Sequence, residues 1–405
     1  MNKVAQRMGR INPSPILSVV AKSAELKAQG VDVIDLSIGE PDFETPDNVK
    51  QAGIRAIQAG ATKYTPITGL PDLRKAIVEK FKRENGLDYA VHEVTHGCGG
   101  KQVIYNAMLA TLDEGDEVIV PAPYWASYPD IVRLAGGQPV IVPCGQEAGF
   151  KLKPEQLAAA LVPRTRWLIL NSPSNPTGAV LDGDELAALA AVLRKHPDVM
   201  ILSDEIYEHI LYDRRTYASF AAQFPDLRDR TLTMNGVSKA YSMTGWRLGY
   251  AAGPRDLIQA MNDVLGHTAT HTSTITQYAA IEALRGPQGI VVERCHAFER
   301  RRDLIVGLLN DIPGVRCLAS EGAFYVYPSV AGLLGGVRPD GRPLQNDQDI
   351  ALYFLEEAHV ATVHGAGFGL SPHLRFSYAT SEEAIRNACG RIAAAVAKLQ
   401  RGERK

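Results

Sequence analysis

Residues 198–207 read DVMILSDEIY: four apolar positions in a row, closed by a serine and an aspartate. A run this short with no polar alternation is the pattern of a strand buried on both faces, as in a parallel sheet. Similar runs stand on either side, in DEVIVPAPYW (116–125), QPVIVPC (138–144), TRWLILNSP (165–173), RTLTMNG (230–236) and RLGYAAG (247–253). Helical patterns separate several of them, so residues 70 to 290 carry the alternating order of an α/β unit. Its sheet is expected to be mostly parallel and covered by helices on both sides. Ligands in such sheets bind at the carboxyl ends of the strands, which is where Asp204 falls.

Upstream, GLPDLRKAIVEKFKRENG (69–86) reads as a helix: Pro71 suits its first turn, Leu73, Ile77 and Phe81 share a face, and Gly86 stops it. Downstream of residue 290 the pattern changes to a long charged helix, VVERCHAFERRRDLIVGLLND (291–311), then strand-like GAFYVYPS, HVATVHG and HLRFSYAT, and a closing amphipathic helix. That mixture implies a smaller α+β unit. The glycine- and proline-rich segment 330–349 is expected to be a mobile surface loop. INPSPILSVV (11–20), with two prolines in three residues, is expected to be an extended arm.

The chain has 405 residues, 45% of them hydrophobic, enough to bury a large core. Its 43 basic and 45 acidic residues nearly cancel, which gives no electrostatic reason to expect nucleic acid or an anionic membrane as partner. The five cysteines are scattered without a Cys-x-x-Cys pair, so neither a disulfide framework nor a metal site is indicated. With no apolar signal segment at the N-terminus, a cytoplasmic location is expected.

Chemistry concentrates in NGVSKAYSMTGWRLGY (235–250). Lys239 follows a buried strand at a small-residue turn, where lost hydration and neighbouring cations lower an amine's pKa and let it attack an aldehyde. Arg247, eight residues on, can hold a phosphate by two parallel hydrogen bonds. Asp204 at a strand end needs a cationic partner such as a protonated pyridine nitrogen, and Tyr207 follows three residues later. In NSPSNPTG (171–178) two prolines flank Ser174 and Asn175 and hold the Asn175 amide at another strand end. Gly97, Gly99 and Gly100 lead into a helix at Lys101 and can offer backbone amides to a phosphate. Tyr124 and Trp125 could stack on a ring. Each segment alone has a plainer reading: a surface lysine, a helix cap, a rigid turn, a glycine loop, a core tryptophan.

Taken in order, SIGEPDF, KYTPITGLPDLR, GGKQ, PYW, NSPSNPTG, SDEIY, SKAYSMTGWRLGY and HLRFSYATS resemble fold-type-I, class I aminotransferases, and in particular bacterial aspartate aminotransferases of the subgroup that includes prephenate-using members. The resemblance covers nearly the whole chain. It implies a large domain with a mostly parallel seven-stranded sheet between helices, plus a smaller α+β domain. The boundaries implied are 1–48 for the N-terminal arm and part of the small domain, 49–290 for the large cofactor domain, and 291–405 for the small domain. It implies pyridoxal 5'-phosphate held on Lys239 as a Schiff base, Asp204 against the pyridine nitrogen, Tyr207 and Asn175 on the phenolic oxygen, and Trp125 on the ring face. Arg247, Ser238, the amides of Gly100 and Lys101, and Tyr64 from a second subunit would hold the phosphate, so a homodimer is implied. Arg375 and the Gly39 amide would take the substrate α-carboxylate, and Lys101 a side-chain carboxylate.

Two departures stand out. Gly236 replaces a serine found in many relatives, and Asn12 and Ile16 stand where aspartate-using members commonly carry a lysine and a threonine-type arm. L-aspartate with 2-oxoglutarate remains the first expectation. Aromatic amino acids, prephenate, alanine or methionine remain open, as does a C–S lyase on the same scaffold.

Overall fold

The computed structural model describes residues 4–11 and 15–401. At its centre is one seven-stranded sheet, whose strands we number β1 (Val94–Gly97), β2 (Glu117–Ala122), β3 (Gln138–Pro143), β4 (Thr165–Asn171), β5 (Met200–Asp204), β6 (Thr231–Gly236) and β7 (Gly249–Ala252). The order across the sheet is β1-β7-β6-β5-β4-β2-β3. From β3 to β6 every pairing is parallel, whereas β7 runs antiparallel to both β6 and β1. The mostly parallel α/β architecture read from the apolar runs is therefore the one observed.

Those runs lack polar alternation because each face of the sheet meets a separate core. Trp167, Ile169, Leu202 and Met234 pack with Ile104 and Met108 of helix Gly100–Thr111. The intervening positions Leu168, Leu170 and Ile201 point the other way, to Leu186, Leu189 and Leu193 of helix Gly183–Leu193. Period-two alternation persists, but both sets are apolar.

Helix Pro71–Lys80 begins on its proline and buries Leu73 and Ile77, as its spacing requires. It then widens into a π-helical turn, Phe81–Asn85, that ends on Gly86 in the left-handed region at φ 68°. Lys80, the last residue of the regular helix, and Asn85, the last of the widened turn, both lie in the interior. Lys80 is fully buried, ion-paired with Glu208 and donating to Asn85 Oδ1 at 2.7 Å. Asn235 on β6 donates to Glu208 Oε1 at 2.7 Å, so this network ties the turn after β5 to the neighbouring strand.

The C-terminal part packs helix Gly289–Asn310 against Glu382–Ala397 over a small antiparallel sheet of Val363–His364, Leu374–Ser377 and Tyr325–Val326. Strand Ile34–Asp35 joins this part by pairing parallel with Val360–Ala361. The chain then crosses from Leu36 to helix Asp47–Gln58 along the mouth of the cleft described below. Among the described residues no helix is long and apolar enough to cross a membrane.

Two expectations are corrected. The segment read as an extended arm is a helix, Pro15–Ala28, because a proline in a first helical turn sacrifices no hydrogen bond; residues 12–14, with Asn12, lie outside the described residues, as does the Ile16 side chain. Segment 330–349 is anchored rather than free. Leu344 is fully buried, Arg338 donates to Glu356 at 2.6 Å, Gly336–Val337 pairs with Gln400–Arg401, and Asn346 caps a helix that starts at Asp347.

Removing Lys80 would leave the Glu208 carboxylate buried without its cation, a loss expected to cost roughly 3–5 kcal/mol. Chemical unfolding of Lys80→Ala against the parent should show a loss of that size; a loss under about 1 kcal/mol would show the pair to be idle.

Candidate active site

The carboxyl ends of β4 and β5 place Asn171 beside Asp204, and β6 runs on past Met234, the partner of Asp204, to Gly236. Beyond Gly236 the chain makes a tight loop through Ser238 and Lys239, then a 3-10 turn at Thr244–Trp246, and returns as β7. Arg247 turns the chain back with φ 57°, in the left-handed region. The eight-residue spacing between Lys239 and Arg247 is thus a closed loop that delivers both side chains to one cleft of about 310 Å³. Its walls include Gly39, Gly100, Lys101, Trp125, Asn175 and Arg375 as well as Asp204, Tyr207, Ser238, Lys239 and Arg247.

Lys239 Nζ donates to the Gly39 carbonyl at 2.6 Å. Burial, then the Arg375 and Arg247 charges, bring its pKa down to about 8, with Glu40 and Asp204 pulling the other way. The amine is therefore partly neutral near physiological pH. Asp204 is shifted oppositely, up to about 6, because burial outweighs the hydrogen bonds from Tyr128 Oη at 2.5 Å and the Ile206 amide at 3.2 Å. Such a carboxylate is stabilised by any cation placed against its free side.

Arg375 comes from strand Leu374–Ser377 and is 1% exposed. It donates to the Ser37 carbonyl at 2.5 Å and to Asn175 Oδ1 at 3.1 Å, while its Nε has no partner. The rings of Tyr325 and Phe368 lie 4.8 and 4.9 Å from its guanidinium carbon. Among the described residues no carboxylate pairs with it, so a buried cation lines the cleft with no opposite charge beside it, and its shielded Nε lacks an acceptor. Because an arginine only donates, the Asn175 carbonyl oxygen must face it, which leaves the Asn175 amide hydrogens for another acceptor.

The glycine loop leads into helix Gly100–Thr111 through Gly99 at φ 86°. A Cβ at Gly99 would lie 2.5 Å from Arg247 Nη2, and one at Gly249 would strike the Gly100 nitrogen, so the backbone amides, helix start and arginine form a cradle without room for side chains. Arg247 also donates to the carbonyls of Thr244 at 2.8 Å and Cys98 at 3.3 Å. Lys101 Nζ lies 5.0 Å from the Trp125 ring, and burial together with the Arg247 charge lowers its pKa. The donor set fits pyridoxal phosphate: an amine for an aldehyde, a carboxylate for a pyridinium, and a cation with helix amides for a phosphate.

Of the residues singled out from sequence, Tyr64 stays away from this cleft, and Tyr124 and Ser174 line a neighbouring pocket instead, so Trp125 rather than Tyr124 is on the cleft wall. Tyr64 is 87% exposed and packs edge-on against His271 at 5.7 Å. The structure also adds groups that the sequence did not signal: Tyr128 beneath Asp204, Asn171, Glu40, Thr244 and Tyr325, whose hydroxyl is 2.9 Å from that of Tyr207. Nothing distinguished Tyr325 from an ordinary core tyrosine.

A family model described as aminotransferase class I and II matches residues 31–392. The aspartate/prephenate aminotransferase of Cereibacter sphaeroides is 55% identical over 98% of this chain and 99% of its own length. An aspartate aminotransferase of Rhizobium meliloti is 52% identical, covering 98% of this chain and 96% of the relative. The crystal structure of the Rhizobium meliloti aspartate aminotransferase superposes with a TM-score of 0.96 at 51% identity, over 99% of this chain and all (100%) of the other. That of the Thermus thermophilus aspartate aminotransferase with maleate does so with a TM-score of 0.91 at 43% identity, over 98% of this chain and 100% of the other.

The raised Asp204 pKa fixes a stability prediction for the ligand-free protein. The group favours folding when protonated, so its contribution is complete below about pH 4 and is lost as pH rises through about 6. At pH 7.5 the ionised carboxylate should cost on the order of 3 kcal/mol relative to its neutral form. Asp204→Asn is expected to stabilise the ligand-free protein by about 1–3 kcal/mol at pH 7.5 and by less at pH 5. Unfolding midpoints at the two pH values check this, and an equal or lower stability of the variant at pH 7.5 would contradict it.

Proposed function

The chain belongs to the class I and II aminotransferase family, and on that premise we propose that it moves an amino group between L-aspartate and 2-oxoglutarate, using pyridoxal 5'-phosphate on Lys239. The observation that carries the reading is the meeting of Lys239, Asp204 and Arg375 in one cleft. When bound, the cofactor supplies an aldehyde that takes up the amino group and a ring that accepts electrons from the substrate carbon. Every other requirement falls to residues of the chain.

Lys239, partly neutral near pH 8, provides the nucleophilic amine and later carries the proton to and from the substrate α-carbon. Asp204 holds a proton on the pyridine nitrogen. Tyr207 and the free amide hydrogens of Asn175 are donors for the phenolic oxygen, and Trp125 covers a ring face. Arg247, Ser238 and the amides of Gly100 and Lys101 hold the phosphate. The exposed Tyr64 is assigned to the phosphate of the other subunit in a homodimer, which accounts for its distance from its own cleft. The protein is expected in the cytoplasm.

Arg375, whose Nη1 and Nη2 each keep one hydrogen beyond their bonds to Asn175 and Ser37, receives the substrate α-carboxylate as a bidentate pair, assisted by the Gly39 amide. Lys101, which has no carboxylate partner among the described residues, is the candidate for the second carboxylate of aspartate. Residues 291–405 together with the N-terminal 1–48 carry Arg375 and Gly39, and residues 49–290 carry Lys239, so closing of the two units on each other would complete the substrate site. A second reading, prephenate as acceptor, is favoured by the names of relatives such as the Cereibacter sphaeroides enzyme.

The test is a panel of amino donors mixed with the cofactor-loaded protein without any acceptor. L-aspartate should convert the absorbance of the aldehyde form to that of the amine form faster than phenylalanine, alanine or methionine. Arg375→Lys should raise KM for aspartate by at least about tenfold, since an ammonium cannot reproduce the two-pronged contact. An unchanged spectrum with every donor, or release of pyruvate and ammonia from one substrate alone, would overturn the assignment.

A further inference from the structure

Tyr325 lies in GAFYVYPS, a segment the sequence marked only as a strand, yet it adjoins three groups proposed to act. Strand Tyr325–Val326 pairs antiparallel with the strand that carries Arg375, with Ser377 opposite Tyr325. Its ring lies 4.8 Å from the Arg375 guanidinium. Its hydroxyl would lie 2.5 Å from a Cβ at Gly39, so only glycine at that position leaves it room. The side chain is fully buried on the wall of the cleft.

A buried phenol needs a partner for its hydroxyl, and among the described residues Tyr325 Oη has one, Tyr207 Oη at 2.9 Å. Burial holds both phenols well on the protonated side, so each has a single hydrogen to give. In the ligand-free pair either hydroxyl can be the donor. Once Tyr207 gives its hydrogen to the phenolic oxygen of the cofactor, it has none left for Tyr325. Tyr325 must then donate to the Tyr207 oxygen, because two acceptors facing each other would leave a buried hydrogen unplaced. Donors arranged in series polarise one another, so the second bond strengthens the first.

We propose that Tyr325 is a positioning residue that donates to Tyr207, fixing the Tyr207 hydroxyl on the phenolic oxygen of the cofactor and making it a stronger donor there. The proposal rests on the functional reading above and extends it by one residue. It also assigns Gly39 a second task, since a larger residue would displace the Tyr325 hydroxyl.

The experiment is a pH titration of the bound cofactor's absorbance in the loaded protein, which reads the state of the Lys239 attachment without requiring turnover. A hydrogen bond donated to the phenolic oxygen stabilises its anionic form and hence the deprotonated state of the site. Weakening that bond must raise the titration midpoint. Tyr325→Phe removes only the hydroxyl and keeps the ring beneath Arg375; it is expected to raise the midpoint by about 0.1–0.6 pH unit, the share of the Tyr207 bond that a second donor in series contributes. Tyr207→Phe should raise it at least as far, and adding Tyr325→Phe to Tyr207→Phe should change nothing more, since Tyr325 acts through Tyr207.

Three outcomes would overturn the proposal alone: an unmoved midpoint in Tyr325→Phe at full cofactor occupancy, equal shifts in the parent and Tyr207→Phe backgrounds, or loss of cofactor from Tyr325→Phe, which would make the hydroxyl a packing group. A parent protein that takes up no pyridoxal phosphate would overturn the functional reading and this proposal together.

Discussion

Charge held out of water at the carboxyl ends of three adjacent strands is the constraint on which the rest of this structure depends. Lys239 and Asp204 share one cleft, and burial pushes their pKa values toward each other, to about 8 and about 6. Two groups that would be almost wholly ionised in water thereby titrate within about a unit of neutral pH, so that a fraction of each is uncharged, which suits an amine to attack an aldehyde and a carboxylate to receive a cation. Arg375, buried with an unpartnered Nε, adds an uncompensated positive charge on the opposite wall. A ligand bearing an aldehyde, a basic ring nitrogen and carboxylates relieves all three.

Holding such a site requires support from behind. The turn from Asp204 to Glu208 alternates between cleft and interior, with Asp204 and Tyr207 lining the cleft and Glu208 facing Lys80, Asn85 and Asn235. Lys80 ends the regular helix and Asn85 ends the π-helical turn that follows it, so the junction between the two presents both to that position. Close backbone approach does the same on the other side, where the glycines at 99, 100 and 249 let β7, the helix start and Arg247 meet without side chains between them. Rigidity at these two places positions groups on separate strands and helices relative to one another.

Much of this was legible in the sequence, for identifiable reasons. Continuous apolar runs announced a sheet buried on both faces, and Asp204, Asn175 and Lys239 each stood where such a run meets a turn, which is where the structure places them. Arg375 was legible only through the family's motif, since an arginine in a short strand has no local signature of burial. The helix at Pro15–Ala28 was misread because two nearby prolines weighed against helix, although one of them starts it. Segment 330–349 looked free because glycine and proline report local conformation and say nothing of the long-range anchors at Leu344 and Arg338. Tyr128 and Tyr325 escaped notice because their roles come from contacts across 76 and 118 positions of sequence, to Asp204 and Tyr207.

The central claim is that a single amine, at position 239, meets the aldehyde of the cofactor. Loading the protein with pyridoxal phosphate, reducing it with borohydride and mapping the peptides by mass spectrometry tests this directly. The account predicts one pyridoxyl group per chain, on the peptide containing Lys239, and none at any site in Lys239→Ala. Label on Lys101 or another lysine in place of Lys239, or no label at all, would contradict it.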